Sequence, residues 1–217
     1  AAGAFPFMSM REGSVAGISA RVSRISFSGE LAFEISVDAN SGLALWEAVM
    51  EAGQRFDITP YGTEAMHVLR AEKGYVIVGQ DTDGSVTPFD LGMQWIVSEA
   101  KDFIGKRSLS RSDTARDNRK QLVGLLTKDP AHVLPEGAQL VNAPSESRPV
   151  PMIGHVSSSY FSANLKRSIA LALVKGGASR MGGTVYAQLM DGAIVPALIT
   201  SAVFVDPENE RQRQEGI

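Results

Sequence analysis

Hydrophobic and polar positions alternate most clearly over residues 24–37, RISFSGELAFEISV, where Phe33, Ile35 and Val37 interleave with Glu34 and Ser36. A period of two predicts a strand. With the preceding GISARVSRISF and the polar pair Ser28-Gly29, it predicts two strands joined by a tight turn. The alternation puts Phe33, Ile35 and Val37 on one sheet face and the Glu34 carboxylate on the other, where it either faces water or meets a ligand. The period then becomes helical. Leu43, Trp46, Val49 and Met50 recur at helix spacing after Asn40 or Ser41, either of which can cap, and Gly53 closes the segment. A second helix runs from Thr63 as N-cap through EAMHVLRAEK to Gly74, a residue suited to a left-handed C-terminus. GYVIVGQDTDGSVTPFDLGMQWIVS reads as a strand, a polar excursion and another strand.

Between Lys101 and Gln121 the apolar periodicity fades, and the segment carries seven basic and three acidic residues. It reads as a solvated connection between domains. Six short apolar runs follow: QLVGLLT, QLVN, PMIGHVSSS, RSIALALV, TVYAQLM and AIVPALIT, separated by Pro, Gly and Asp turns. They predict a small antiparallel barrel or sandwich, although RSIALALV fits a short buried helix equally well by periodicity. The tail PENERQRQEGI reads as polar and frayed.

At 217 residues with 44% hydrophobic side chains, the chain is long enough for a substantial core in one large or two small domains. No stretch approaches the roughly 20 apolar residues of a membrane helix. No signal peptide is evident, so the expected location is cytoplasmic, with no membrane partner. A net charge of -3 argues against a nucleic-acid partner. The chain has no cysteine, which excludes disulfides, thiolate metal sites and thiol nucleophiles. His67, His132 and His155 lie far apart, match no metal-ligand spacing and read as structural, so no metal site is expected. Because the chain starts without methionine and enters the apolar AFPFM at once, it reads as a piece of a longer polypeptide.

Chemistry-bearing motifs are sparse. The glycines lack the spacing of a nucleotide-binding loop, and GGASRMGG at 176–183 has no helix after it. His155 and Ser157 stand near each other on a presumed strand, where such adjacency is common by chance. No catalytic residue is assigned from spacing.

The order of several segments says more than any one of them. FSGELAFEISV, LWEAVMEAG and YGTEAMHVLRAEKGYVIVGQDTDGSVTPFDLGMQW resemble the ordered signature of the glycine-cleavage T-protein, or aminomethyltransferase, family, with its GYTGEDGFEI-like hairpin, LRLEAG-like helix end and TTP-leading segment. SANLKRSIALALV resembles that family's SPSLKKNVAMGYV-like stretch. Within this superfamily, GTEAMHVLRAEKGYVIVGQDTDG and SYFSANLKRSIALALVKGG look most like the C-terminal folate-binding region found in alpha subunits of heterotetrameric sarcosine oxidases. The absence of a cysteine after Lys73-Gly74 sets the chain apart from the iron-sulfur-assembly branch, with its KGCYxGQE-like signature.

The resemblance implies an α+β fold. It places a partial folate-binding α/β subdomain at 1–100, a connection at 101–120 and a C-terminal antiparallel β-barrel at 121–217. It implies tetrahydrofolate as ligand, the other subunits of a hetero-oligomeric oxidase as partners, and flavin and NAD only in other regions or subunits. By position Glu34 takes the place of the family's pterin-binding glutamate, and a carboxylate suits the paired amino and ring N–H donors of a reduced pterin. Phe27 stands where the family has a tyrosine, Trp95 matches an aromatic near the pocket or packs in the core, and Arg70 matches the second arginine of the ARDSLRLEAG-like helix. Met66 replaces that helix's first, folate-contacting arginine, which favours the sarcosine oxidase branch. Tyr160, read as lying in a Ser-rich loop, is placed to reach a ligand at the domain junction. The family's catalytic aspartate precedes the glutamate hairpin, so the implied piece of oxidoreductase keeps part of the pterin grip without catalytic competence of its own. Two alternatives stand beside it: an aminomethyltransferase of the glycine cleavage system, and a non-catalytic assembly module.

Overall fold

Three short antiparallel strands open the chain: β1 (Met10–Val15), β2 (Ile18–Ser23) and β3 (Glu34–Ser36), in the order β1-β2-β3. The tight hairpin lies one connection earlier than the sequence suggests. It joins β1 to β2 through Ala16 and Gly17, both left-handed at φ 52° and 80°, the geometry that matches strand twist. The expected turn at Ser28-Gly29 exists, with Gly29 at φ 83° and its N–H donated to Ser26 Oγ at 2.9 Å. It sits within a long connection rather than a two-residue loop, because β2 ends at Ser23 and β3 begins only at Glu34. The computed structural model describes residues 5–147 and 149–213.

α1 (Gly42–Gly53) follows a 3-10 turn at Ala39–Ser41, with Ser41 as N-cap. Gly53 does not provide the left-handed stop. A further 3-10 turn carries the chain to Asp57, which takes that conformation at φ 55°. α2 (Thr63–Glu72) begins at the expected threonine, and Gly74 is left-handed at φ 68° beyond its end. The described part of the polar tail is not frayed. Glu210–Arg213 forms a short helix, α3, Gln212 is buried, and Arg211 pairs with Glu30 at 2.9 Å. The buried Arg24 guanidinium donates to the carbonyl of Gln212 at 2.8 Å, which ties this tail to the end of β2. Residues 5–70 and 206–213 make one compact unit, and Ala71–Val205 makes a second.

The second unit holds the barrel. β4 (Lys120–Thr127), β5 (Gln139–Val141), β6 (Gly154–Ser162), β7 (Arg167–Lys175), β8 (Thr184–Gln188) and β9 (Ile194–Thr200) close in the order β4-β7-β6-β5-β8-β9, every pairing antiparallel. All six expected runs are strands. Their inward positions follow period two: Val123 and Leu125, then Ala170, Ala172 and Val174, then Val195, Ala197 and Ile199, all in one buried cluster with Leu140, Val156 and Val185. The alanines among them fit the narrow lumen of a six-stranded barrel. RSIALALV is strand β7 and not a helix. Its outward residues Ile169 and Leu171 are also buried, in a second cluster with Ala71, Leu122, Leu126 and Phe204. A strand covered on both faces loses the polar alternation that would have marked it.

Residues 75–99 contain no strand of either kind expected. They form successive turns with one isolated bridge, Val78 to Thr82, and a 3-10 turn at Gln94–Ile96. The reason lies in the aspartates: Asp81 accepts the N–H of Ile77, Asp83 that of Ser85 and Asp90 that of Thr87, each at 2.8 Å. Side-chain acceptors that satisfy backbone donors locally remove the need for a neighbouring strand.

Candidate functional site

Glu34 opens β3, an edge strand, and its Cα partner is Ser23 on β2. It is exposed, as is Ser36, while Ile35 between them is half-buried, so the alternation survives over these three residues. Phe33, expected on the covered face, lies outside the strand and is 48% exposed. Its ring stands 5.8 Å from that of Phe5 in a tilted pair, and the Arg11 guanidinium lies 5.0 Å above Phe5. Phe27, in the connection between β2 and β3, is exposed as well. An ionised carboxylate offers two acceptor oxygens, and accessible aromatic rings offer stacking surfaces. A carboxylate and an accessible ring are the group types able to hold a flat heterocycle with adjacent N–H donors. The first unit also has an open groove of about 360 Å³ along Glu12, Ser19, Arg21, Ser36 and Asp38, and Glu34 stands outside it.

The other sequence-derived candidates occupy different elements. Arg70 is fully buried on α2. Trp95 is 78% exposed on the 3-10 turn at Gln94–Ile96, which rules out core packing in this chain. Tyr160 is not on a loop. It is a half-buried residue of β6 opposite Ile169, packed against the second apolar cluster. Phe27, Glu34 and Arg70 belong to the first unit, and Trp95 and Tyr160 to the second.

Three buried carboxylates that sequence reasoning passed over organise the second unit. Asp81 accepts from the hydroxyls of Ser157 at 2.5 Å and Ser158 at 2.7 Å, pinning the turn after α2 to β6. Glu72 accepts from Ser162 Oγ at 2.6 Å and Asn164 Nδ2 at 2.7 Å, and its carbonyl takes the N–H groups of Phe204 and Val205. Asp90 is bound by Arg119 through Nε at 2.9 Å and Nη2 at 2.7 Å. Burial alone would raise the Asp90 carboxyl. Hydrogen bonds from Arg119 and Thr87, with the guanidinium's charge, outweigh it and hold the pKa below the ordinary 3.8. Asp81 and Asp83 in DTDG, and the Thr87-to-Asp90 spacing of TPFD, were the available signals for turn-forming aspartates. Because two serine hydroxyls would lose a buried acceptor, Asp81→Ala is expected to cost about 2 kcal/mol by urea denaturation. An unchanged midpoint would mean that the turn holds to the barrel by other contacts.

Among the described residues no cluster of His, Asp or Glu has the arrangement of a metal site, and no helix is long and apolar enough to cross a membrane.

Two family models match the chain in order: the GCVT N-terminal domain over residues 1–101, and the glycine cleavage T-protein C-terminal barrel domain over 120–206, where the closed six-stranded barrel lies. The chain belongs to this family. It is 54% identical over 212 residues to the sarcosine oxidase subunit alpha of Corynebacterium sp. (strain P-1), and 40% identical over 219 residues to that of Rhizobium meliloti (strain 1021), in each case over 96% of the chain. It is 31% identical over 198 residues, 91% of the chain, to an aminomethyltransferase of Thermotoga sp. (strain RQ2). The chain spans 22% of the Corynebacterium subunit, 21% of the Rhizobium subunit and 52% of the Thermotoga enzyme. The crystal structure of aminomethyltransferase T from Bartonella henselae shares the fold, with a TM-score of 0.75 and 24% identity over 92% of this chain and 52% of that one.

Proposed function

We propose that the chain is the tetrahydrofolate-binding, one-carbon-transfer region of a sarcosine oxidase alpha subunit. In this reading it captures the methylene imine left by sarcosine oxidation as 5,10-methylenetetrahydrofolate. The observation that carries the reading is the 54% identity to such a subunit across 96% of the chain, against 31% to an aminomethyltransferase over 91%. Met66, where the aminomethyltransferase pattern has its folate-contacting arginine, points the same way. Flavin and NAD belong to other regions or subunits of the hetero-oligomer, and the assembly works in the cytoplasm. The folate-binding part is residues 1–100, joined through 101–120 to the barrel at 121–217.

Glu34 accepts the paired N–H donors of the pterin, and Phe27 gives its ring a stacking surface. Arg70 positions the helix that borders the ligand. Bound tetrahydrofolate supplies the amines that accept the one-carbon unit. This chain supplies orientation and a fixed negative charge, and no group of it takes part in bond making.

Titration calorimetry of tetrahydrofolate into the full-length protein and its Glu34→Gln variant tests the reading. A glutamine turns one of the two acceptors into a donor facing a donor, so affinity is expected to fall about tenfold to a hundredfold, the worth of a charge-assisted hydrogen bond. Equal affinity in the two proteins would remove Glu34 from the site. Absence of binding to the unmodified protein would leave a non-catalytic assembly module.

A further inference from the structure

On the outer face of the barrel, Lys120 opens β4 and Lys175 closes β7, and the two are direct cross-strand partners. Like charges placed so, with Cβ atoms about 5 Å apart, repel and weaken the sheet. Neither ammonium has an ion-pair partner among the described residues. The nearby cations are already engaged: Arg116 pairs with Asp113 at 2.5 Å, and Arg119 with Asp90 and Asp113 at 2.7 and 3.2 Å.

These lysines line a cleft of about 260 Å³ together with Leu173, Val86, Arg116, Asn118 and His155. Four cationic side chains line it against two carboxylates, Asp83 and Asp113, in a chain whose net charge is -3. A local excess of positive charge in a concave, partly apolar setting concentrates anions. Burial, and then the charge of Lys120, push the His155 imidazole below its ordinary 6.5, so it stands neutral at pH 7 as a hydrogen-bonding group.

We propose that this cleft binds a small, multiply charged oxyanion held between Lys120 and Lys175, with Asn118 and Arg116 as further donors. Two negative charges on one compact group relieve the lysine–lysine repulsion that the bare cleft carries. A phosphate and a short polycarboxylate share this chemistry, and the experiment separates them.

Inorganic phosphate and tricarballylate are titrated calorimetrically into the full chain at low ionic strength, into Lys120→Gln and Lys175→Gln, and into the double variant. Saturable binding of at least one anion is expected, at least tenfold weaker in each single variant and absent in the double variant. Binding of phosphate alone assigns a phosphate-type ligand, and of tricarballylate alone a polycarboxylate. Thermal unfolding gives a second readout. Without anion, each single variant is expected to melt above the parent because the repulsion is gone, and added anion is expected to raise the midpoint of the parent but not of the double variant. The proposal is overturned if neither anion binds saturably, or if the double variant binds as tightly as the parent.

Discussion

Arg119→Ala is expected to destabilise the unit at 71–205 by about 4 kcal/mol at pH 7, because it strands a buried carboxylate. Asp90 is 4% exposed and Arg119 11%, and the guanidinium grips the carboxylate with two nitrogens while also donating to the carbonyl of Ser85. The pair fastens the 85–90 turn to the start of β4. The effect has a pH signature. The Asp90 pKa is lowered in the folded state, so its contribution is fully present above the ordinary carboxylate pKa and is lost as pH falls through the lowered one. The stability gap between parent and variant is therefore expected to be widest near neutrality and to close in acid. Urea denaturation at pH 7 and pH 3 measures both. A gap below about 1 kcal/mol at pH 7 would class the pair with exposed ion pairs.

Gly124→Ala is expected to cost about 3 kcal/mol or more through overpacking. A Cβ at that position would overlap the carbonyl oxygen of Ser201 and meet the Phe204 ring at 2.8 Å. Relief is blocked on both sides, since Gly124 pairs with Leu171 of β7 and Thr200 of β9 at the closure of the barrel. Gly13→Ala is the control: nothing lies within 4 Å of its added methyl, and little change is expected. Thermal melts of the two variants compare them directly. Equal melting would show that β4 and the 201–204 segment can separate at little cost.

The barrel was largely legible because its inward positions keep period two and Pro, Gly or Asp turns separate most of its apolar runs. Only β7 was ambiguous, since its cover on both faces comes from residues as remote as Ala71 and Phe204. Residues 75–99 misled for the opposite reason. YVIV has strand composition, but the acceptor that satisfies Ile77 is Asp81, whose other partners lie on β6. The Asp90–Arg119 pair spans 29 residues, a separation that no local period reports. At the candidate site, period two located Glu34 on a strand. It could not show that the strand is an edge of only three residues with Phe33 outside it. The tight turn at Ala16-Gly17 escaped because alanine carries no signal for the left-handed conformation it adopts.

The double-sided cover of β7 bears on how the protein reaches its native state. β4 pairs with β7 and β9, so the partners that close the barrel are separated by many residues, a topology associated with slow folding. Until Ile194–Thr200 has emerged from the ribosome, the ring stays open. The run from Ser168 to Val174 carries no charge and no proline, the composition of a segment that pairs with copies of itself. Arg167 and Lys175 flank it, and charges at the two ends of such a run disfavour that pairing. The same lysine that faces Lys120 in the finished barrel is thus one of the two charges that bound this uncharged run before the ring closes.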